Sequence, residues 1–230
     1  MSLLLFGLLL AAPTETGGKR SPRVVEEGQR QQGPKGPQLR FHDVRLEVAA
    51  EVGEVRKRQI AMIEELLELE IDSNRRGDLL FRKAELKHER ARFHSFLKGA
   101  AEEQLGEAQD KGADAIAAAE EKVKNISLDE RRASREAIAV YDRILREIPT
   151  YERTPDVLHA LGQAWWELGV KEGALEIYTR IIREYPDSGF VPDAWVSFGE
   201  YYFGEQQLEL ALKAYKKAAA YPKPEVQGFA

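Results

Sequence analysis

Glu85-Leu86-Lys87-His88 has the E-x-x-H spacing that sets a carboxylate and an imidazole on one face of a helix. Di-iron bundles need two such motifs plus further glutamates. This chain has one, so its side chains read as a solvated helix face. His88 and His94 stand six residues apart, on different sides of a helix, and make poor co-ligands. His159 adjoins apolar Leu158 and has no second ligand near it in sequence. Cysteine is absent, which excludes disulfides, a thiol nucleophile, a zinc–thiolate site and an acylated lipoprotein cysteine. Asn125-Ile126-Ser127 spells a glycosylation sequon and Arg76-Gly77-Asp78 an adhesion tripeptide. Chance readily supplies such short patterns, and the second falls where a helix is expected to begin. Neither G-x-x-x-x-G-K-[ST] nor G-x-S-x-G occurs. The residues therefore assign no catalytic centre, no cofactor and no metal.

Composition narrows the partner class. The formal net charge is −5 and the sequence pI is about 5.6, so the basic footprint of a general nucleic-acid binder is missing. Charged residues make up 32% and apolar ones 43%, a balance that suits a helix-rich protein exposing charged helix faces.

The elements come next. Leu3 to Ala12 is an apolar run of signal-peptide length, too short to span a bilayer. Ala11, Ala12 and Pro13 suit a cleavage region, although no Lys or Arg precedes the run. Residues 1–12 are thus expected to be a leader, with no direct membrane span. Residues 13–42, rich in Gly, Pro, Gln and charge, read as a disordered tether. Helical periodicity starts near Asp43: Val52, Val55, Ile60, Ile63, Leu66, Leu67 and Ile71 recur at steps that suit one helix. Asp72-Ser73-Asn74 supplies a turn, and a second helix is expected from Gly77 to Leu97. Residues 43–98 form a degenerate helical repeat region in this reading. Residues 99–129, dominated by Ala, Glu, Gln and Lys, read as a helical insertion interrupted at Gly106 and Gly112. A helix is expected to open at Ser127 or Asp129, since Ser127 and Glu130 have the capping-box spacing. No alternating apolar–polar run argues for strands.

From there the sequence repeats. Ala137, Ala174 and Ala211 are spaced by 37, as are Tyr141, Tyr178 and Tyr215. Gly162 and Gly199 keep the same step, and so do Pro149 and Pro186. An upstream copy lies 115 residues earlier: Asp72-Ser73, Asp78, Leu80, Ala84 and Glu85 align with Asp187-Ser188, Asp193, Trp195, Gly199 and Glu200. Such periods mark stacked helical repeats. The small residues let two helices approach, the aromatic ones fill the space between them, and the prolines stop each second helix.

Residues 158–186 read L-x2-L-G-x2-W, A-x3-Y, P, and residues 195–222 read W-x2-F-G-x2-Y, A-x3-Y, P. This pattern resembles the tetratricopeptide repeat family, closely over about 130–230 and more weakly over 43–98. The resemblance implies an all-α fold of antiparallel helix pairs stacked in a right-handed superhelix. The period exceeds the family's usual 34 by three residues, a surplus that falls in the loop PDSGFVPD. The tail YPKPEVQGFA aligns with YPDSGFVPDA at a step of 36, so residues 223–230 read as the start of a further, truncated repeat. The open C-terminal repeat is expected to pack on a neighbour or on downstream repeats, because a solenoid end without a polar cap exposes its core.

The resemblance also implies a binding groove on the first helices of the pairs. It carries that role onto Asp156, His159, Gln163 and Trp166, then Asp193, Val196, Glu200 and Phe203. Acidic groups with aromatic anchors suit an extended protein or peptide partner with basic residues. Adaptors of this family that grip a C-terminal carboxylate use Lys and Asn at matching positions. His159 and Gln163 stand there instead, and Asp193 and Glu200 would repel a carboxylate. The wording YPDSGFVPDAW, together with the leader, resembles cell-envelope members of Gram-negative bacteria, of the outer-membrane assembly and division-coordinating types. SNRRGDLLFRKAELKHERAR resembles members of gliding-motility machinery. The expected function is a non-catalytic interaction scaffold of the periplasm or cell envelope. The alternative is a cytoplasmic adaptor, or the N-terminal scaffold of a longer protein.

Overall fold

Helix-forming sequence, punctuated by a few turn residues, decides the architecture. The computed structural model describes the backbone of residues 41–221 and the side chains of residues 51–221. The expected leader, most of the tether and the expected truncated repeat at 223–230 lie outside the described residues. Within them stand α1 (Phe41–Leu69), α2 (Ser73–Ala108), α3 (Ala113–Glu147), α4 (Thr154–Glu167), α5 (Lys171–Glu184), α6 (Val191–Gly204) and α7 (Leu208–Ala219), with no strand.

Local chemistry explains the punctuation. Asp72 caps α2: its carboxylate accepts the backbone N–H of Arg75 at 2.8 Å. Arg76 donates to the carbonyl of Leu67 at 2.6 Å and so satisfies a free acceptor at the end of α1. Pro155 and Pro192, 37 residues apart, occupy the first turns of α4 and α6, where a missing N–H is harmless. Pro149 and Pro186 follow directly on the ends of α3 and α5, as the repeat pattern expects.

The turns inside the two C-terminal pairs are built alike. Gly169 has φ +87; its N–H donates to the carbonyl of Trp166, and the next N–H, of Val170, reaches back to Trp165. This is a Schellman closure, which favours glycine. The same two bonds recur at Gln206 and Gln207, where Gln206 adopts φ 59. Gln206 therefore holds the left-handed position one period after Gly169 without glycine's freedom.

Three sequence expectations are corrected. α2 runs from Ser73 to Ala108, not from Gly77 to Leu97, and passes through Gly99 and Gly106 without a break. Gly112, with φ +98, is the real interruption. α3 begins at Ala113, so neither Ser127 nor Asp129 opens a helix; the Ser127 hydroxyl donates to the Val123 carbonyl in mid-helix. Packing overrides the cap spacing. The outer halves of α2 and α3 run against each other with buried Ala101 and Ala108 at the seam, where small side chains allow close approach. Lys98–Glu130 at 3.3 Å ties this hairpin at its base, and Lys122–Gln104 at 2.7 Å ties it midway along. The first repeat-like pair thus consists of the inner halves of α2 and α3, extended by residues 99–129.

Two apolar clusters hold the stack. The first joins α1 to α4 through residues such as Leu67, Leu80, Ala84, Tyr141, Ile144 and Leu161. The second joins α4 to α6 through Leu158, Ala174, Tyr178, Ile181, Val191 and Ala194. α4 is shared, with Val157, Leu161 and Ala164 in one cluster and Leu158 in the other. Such a helix cannot bury both faces without a neighbour on each side, which is the physical reason the pairs stack.

Candidate functional site

The eight groove candidates fall on matching stripes of α4 and α6. Asp156, His159, Gln163 and Trp166 follow steps of three, four and three, as do Asp193, Val196, Glu200 and Phe203. Helical geometry sets each group along one face. Their environments differ. The α4 residues are all half-buried, whereas the α6 residues are all exposed, Phe203 to 62%.

His159 accounts for much of the difference. Its imidazole stacks on Phe190 with ring centroids 4.3 Å apart and 16° between planes. It is also tilted against Tyr178 and lies 3.8 Å from the Asp193 carboxylate. His159 and Asp193 are thus brought together at the joint between successive pairs. Asp156 accepts from Arg153 at 3.1 Å, and the Trp166 ring lies under the Lys171 ammonium at 5.3 Å. Gln163, Val196, Glu200 and Phe203 make no side-chain hydrogen bond or ion pair with described residues.

Burial lowers the His159 pKa, and the nearby carboxylates of Asp193 and Asp156 oppose that without reversing it. Burial likewise lowers His94, against a smaller upward pull from Asp129. An imidazole whose pKa is lower when folded than when unfolded takes up its proton more readily in the unfolded chain. Stability is then full above the unfolded value of about 6.5 and declines as pH falls from there toward the folded values. His159→Gln should flatten this decline between about pH 7 and pH 5, read as urea midpoints across a pH series. An unchanged slope would remove His159 from the effect.

A third stripe lies upstream, on α2. The step of 115 that aligned Asp78 with Asp193 also aligns Phe81, Glu85 and His88 with Val196, Glu200 and Phe203. This third stripe is engaged internally. Asp78 accepts from the Tyr151 hydroxyl at 2.6 Å, and the Arg153 guanidinium lies 4.8 Å above the Phe81 ring. His88, buried, meets the Glu167 carboxylate at 2.7 Å, and Arg92 donates to the same carboxylate at 3.1 Å. Burial pushes the Glu167 pKa up, but the bonds from His88 and Arg92 outweigh it and leave the group below the usual carboxylate range. One rule covers both joints. Arg153, just before α4, covers Phe81; Phe190, one period later and just before α6, covers His159.

The isolated motifs resolve in the same way. The E-x-x-H side chains are not a solvated face as expected: His88 is buried against Glu167, and half-buried Glu85 accepts from Arg82 at 3.2 Å. Among the described residues no group of three or more His, Asp or Glu is placed to hold a metal ion. In Arg76-Gly77-Asp78 the glycine lies under the Tyr151 ring, and the aspartate accepts from that tyrosine's hydroxyl. No described helix is long and apolar enough to cross a membrane.

Helix pairs of one repeated register, with small residues at the crossings and a stripe of candidate contacts on each first helix, define a helical-repeat protein. Residues 156–188, which cover α4, α5 and the loop beyond, match the family model of the tetratricopeptide repeat. That match supports a protein–protein interaction scaffold as the broad function. No curated protein matches the chain.

Proposed function

We propose that the protein is a non-catalytic scaffold of the bacterial cell envelope that holds an extended, basic partner segment on the stripe of its first helices. The observation that carries the reading is the α6 stripe. Asp193, Glu200 and Phe203 are exposed there, and Glu200 and Phe203 have no polar or ionic partner among the described residues. The unpartnered Glu200 carboxylate and the exposed Phe203 ring, with Asp193 nearby at His159, suit Lys or Arg side chains by charge and by cation–π contact. The α4 stripe contributes less than the sequence suggests, because His159 and Asp156 already have partners. The wording of the inter-pair loop and the apolar leader support the envelope setting. A cytoplasmic adaptor is the other reading of the same surface.

Glu200→Lys combined with Phe203→Ala tests it. Both sites are exposed, so helical content should stay intact. In-cell crosslinking of the full chain should yield adducts with envelope proteins that fall at least roughly tenfold in the variant, as expected when a charge contact and an aromatic anchor are lost together. Adducts unaffected by the variant would remove the groove. Variant-sensitive adducts confined to cytoplasmic proteins would transfer the groove to the adaptor reading.

A further inference from the structure

α1 carries two apolar faces, and the described chain covers one. Ile60, Ile63 and Leu67 pack toward α2, and the contact is framed by Arg56–Glu89 at 3.5 Å and Lys83–Glu64 at 2.7 Å. About 110° round the helix, at about 100° per residue, a second stripe faces solvent. Val52 is 45% exposed, Val55 51%, Met62 63%, Leu66 45% and Leu69 78%. With Gln59 these positions alternate by three and four, the spacing of a coiled-coil seam. An exposed apolar stripe of this length on a charged helix, broken at Gln59, marks an interaction surface.

We infer that this seam pairs with α1 of a second copy of the chain, in antiparallel orientation. The stripe is self-complementary in one register. Val52 then meets Leu69 of the second copy, Val55 meets Leu66, and Gln59 meets Met62, and the two-fold repeats each layer in reverse. Arg58 and Glu65 border the seam on the side away from α2, and in this register each faces the other across the interface. Their neighbours Arg56, Lys57 and Glu64 are all in ion pairs within the chain, while Arg58 and Glu65 are exposed and in none among the described residues. A shift of one heptad in either direction sets Arg58 against Arg58 or Glu65 against Glu65. Parallel pairing sets Glu65 against Glu70. Antiparallel pairing also places both α2 helices on one side of the seam, so that two α1–α2 hairpins form a four-helix layer. Charge at such flanking positions fixes orientation and register more than it adds affinity.

The experiment uses the full chain. It should sediment as a dimer at high micromolar concentration, and Met62→Lys with Leu66→Lys should make it monomeric without loss of helical signal. Arg58→Glu alone should weaken the dimer roughly tenfold, because both symmetric pairs become repulsive. Arg58→Glu with Glu65→Arg should restore it, a rescue that only self-pairing in this register predicts. The chain has no cysteine, so a spin label at Glu51→Cys is unambiguous. The two labels of the antiparallel dimer should lie about 30 Å apart, against close neighbours in a parallel one. A chain that stays monomeric, a dimer indifferent to the lysines, a failed charge-swap rescue or adjacent labels would each overturn the inference. The groove variants lie on α6, so failure here leaves the scaffold reading untouched.

Discussion

Gly162→Ala should destabilise the protein by about 2 kcal/mol, while the equivalent change one period later, Gly199→Ala, should cost less than about 1 kcal/mol. A β-carbon at Gly162 would lie 2.5 Å from Cε1 of the Tyr178 ring and 2.8 Å from its Cζ. Real contacts are not that short, so the ring or the helix must move. Tyr178 is 3% exposed within the second core cluster, which also holds Leu158, Ala174 and Ile181, and has no free space to enter. Overpacking costs about 1–3 kcal/mol, the upper end where the ring is confined as Tyr178 is, and alanine's better helix propensity returns about 1. A β-carbon at Gly199 would meet the Tyr215 ring at 2.4 Å, an equally severe overlap. Tyr215, however, is 36% exposed and can swing outward. Urea unfolding of the two variants provides the comparison. Equal losses would show that backbone strain, rather than confinement of the tyrosine, sets the cost.

The same pair of glycines shows what the sequence reveals directly. Small and aromatic residues at a fixed period report helix crossings, because a crossing needs both and needs them in register. The alanines at 137, 174 and 211, the tyrosines at 141, 178 and 215 and the closing prolines all sit where counting places them. The start of α3 was not legible in that way. Ser127 and Glu130 have the spacing of a cap, but a serine in mid-helix can return its hydroxyl to the carbonyl four residues back, as Ser127 does with Val123. Only the partner segment of α2 shows which option is taken. α1 was legible as a helix and misleading as a surface. Its periodic apolar residues belong to two faces, and only the position of α2 separates buried Leu67 from exposed Leu66. The groove was half legible. Periodicity places His159 and Val196 on matching positions, yet Phe190 reaches back from the loop to cover His159. That contact follows from the loop's path and is invisible to a count.

Tyr141→Ala should cost about 3–5 kcal/mol, the largest loss expected of any single change considered. Tyr141 is 1% exposed and is among the largest side chains buried completely. Its ring lies 6.0 Å from Phe81 and meets His88 edge-on at 6.4 Å. Truncation would open a cavity where α2 and α3 meet, in the cluster that ties α1 to α4. It would also leave His88, held to Glu167 on α4, without the ring it packs against. Burial keeps the Tyr141 hydroxyl neutral throughout the range where the fold is stable, so the loss should not depend on pH through this group. The series Tyr141, Tyr178 and Tyr215 then forms an internal comparison: one residue type, one register, and exposures of 1%, 3% and 36%. Alanine at Tyr215 should cost less, about 1–2 kcal/mol, since over a third of that side chain already meets water. In a linear array each unit is stabilised by its neighbours. The gradient therefore predicts that amide hydrogens in α7 exchange before those in α5, and those in α5 before the inner half of α3. A Tyr215→Ala loss as large as that of Tyr141→Ala would contradict this order. It would mean that the α6–α7 face is held by contacts beyond those of the described chain.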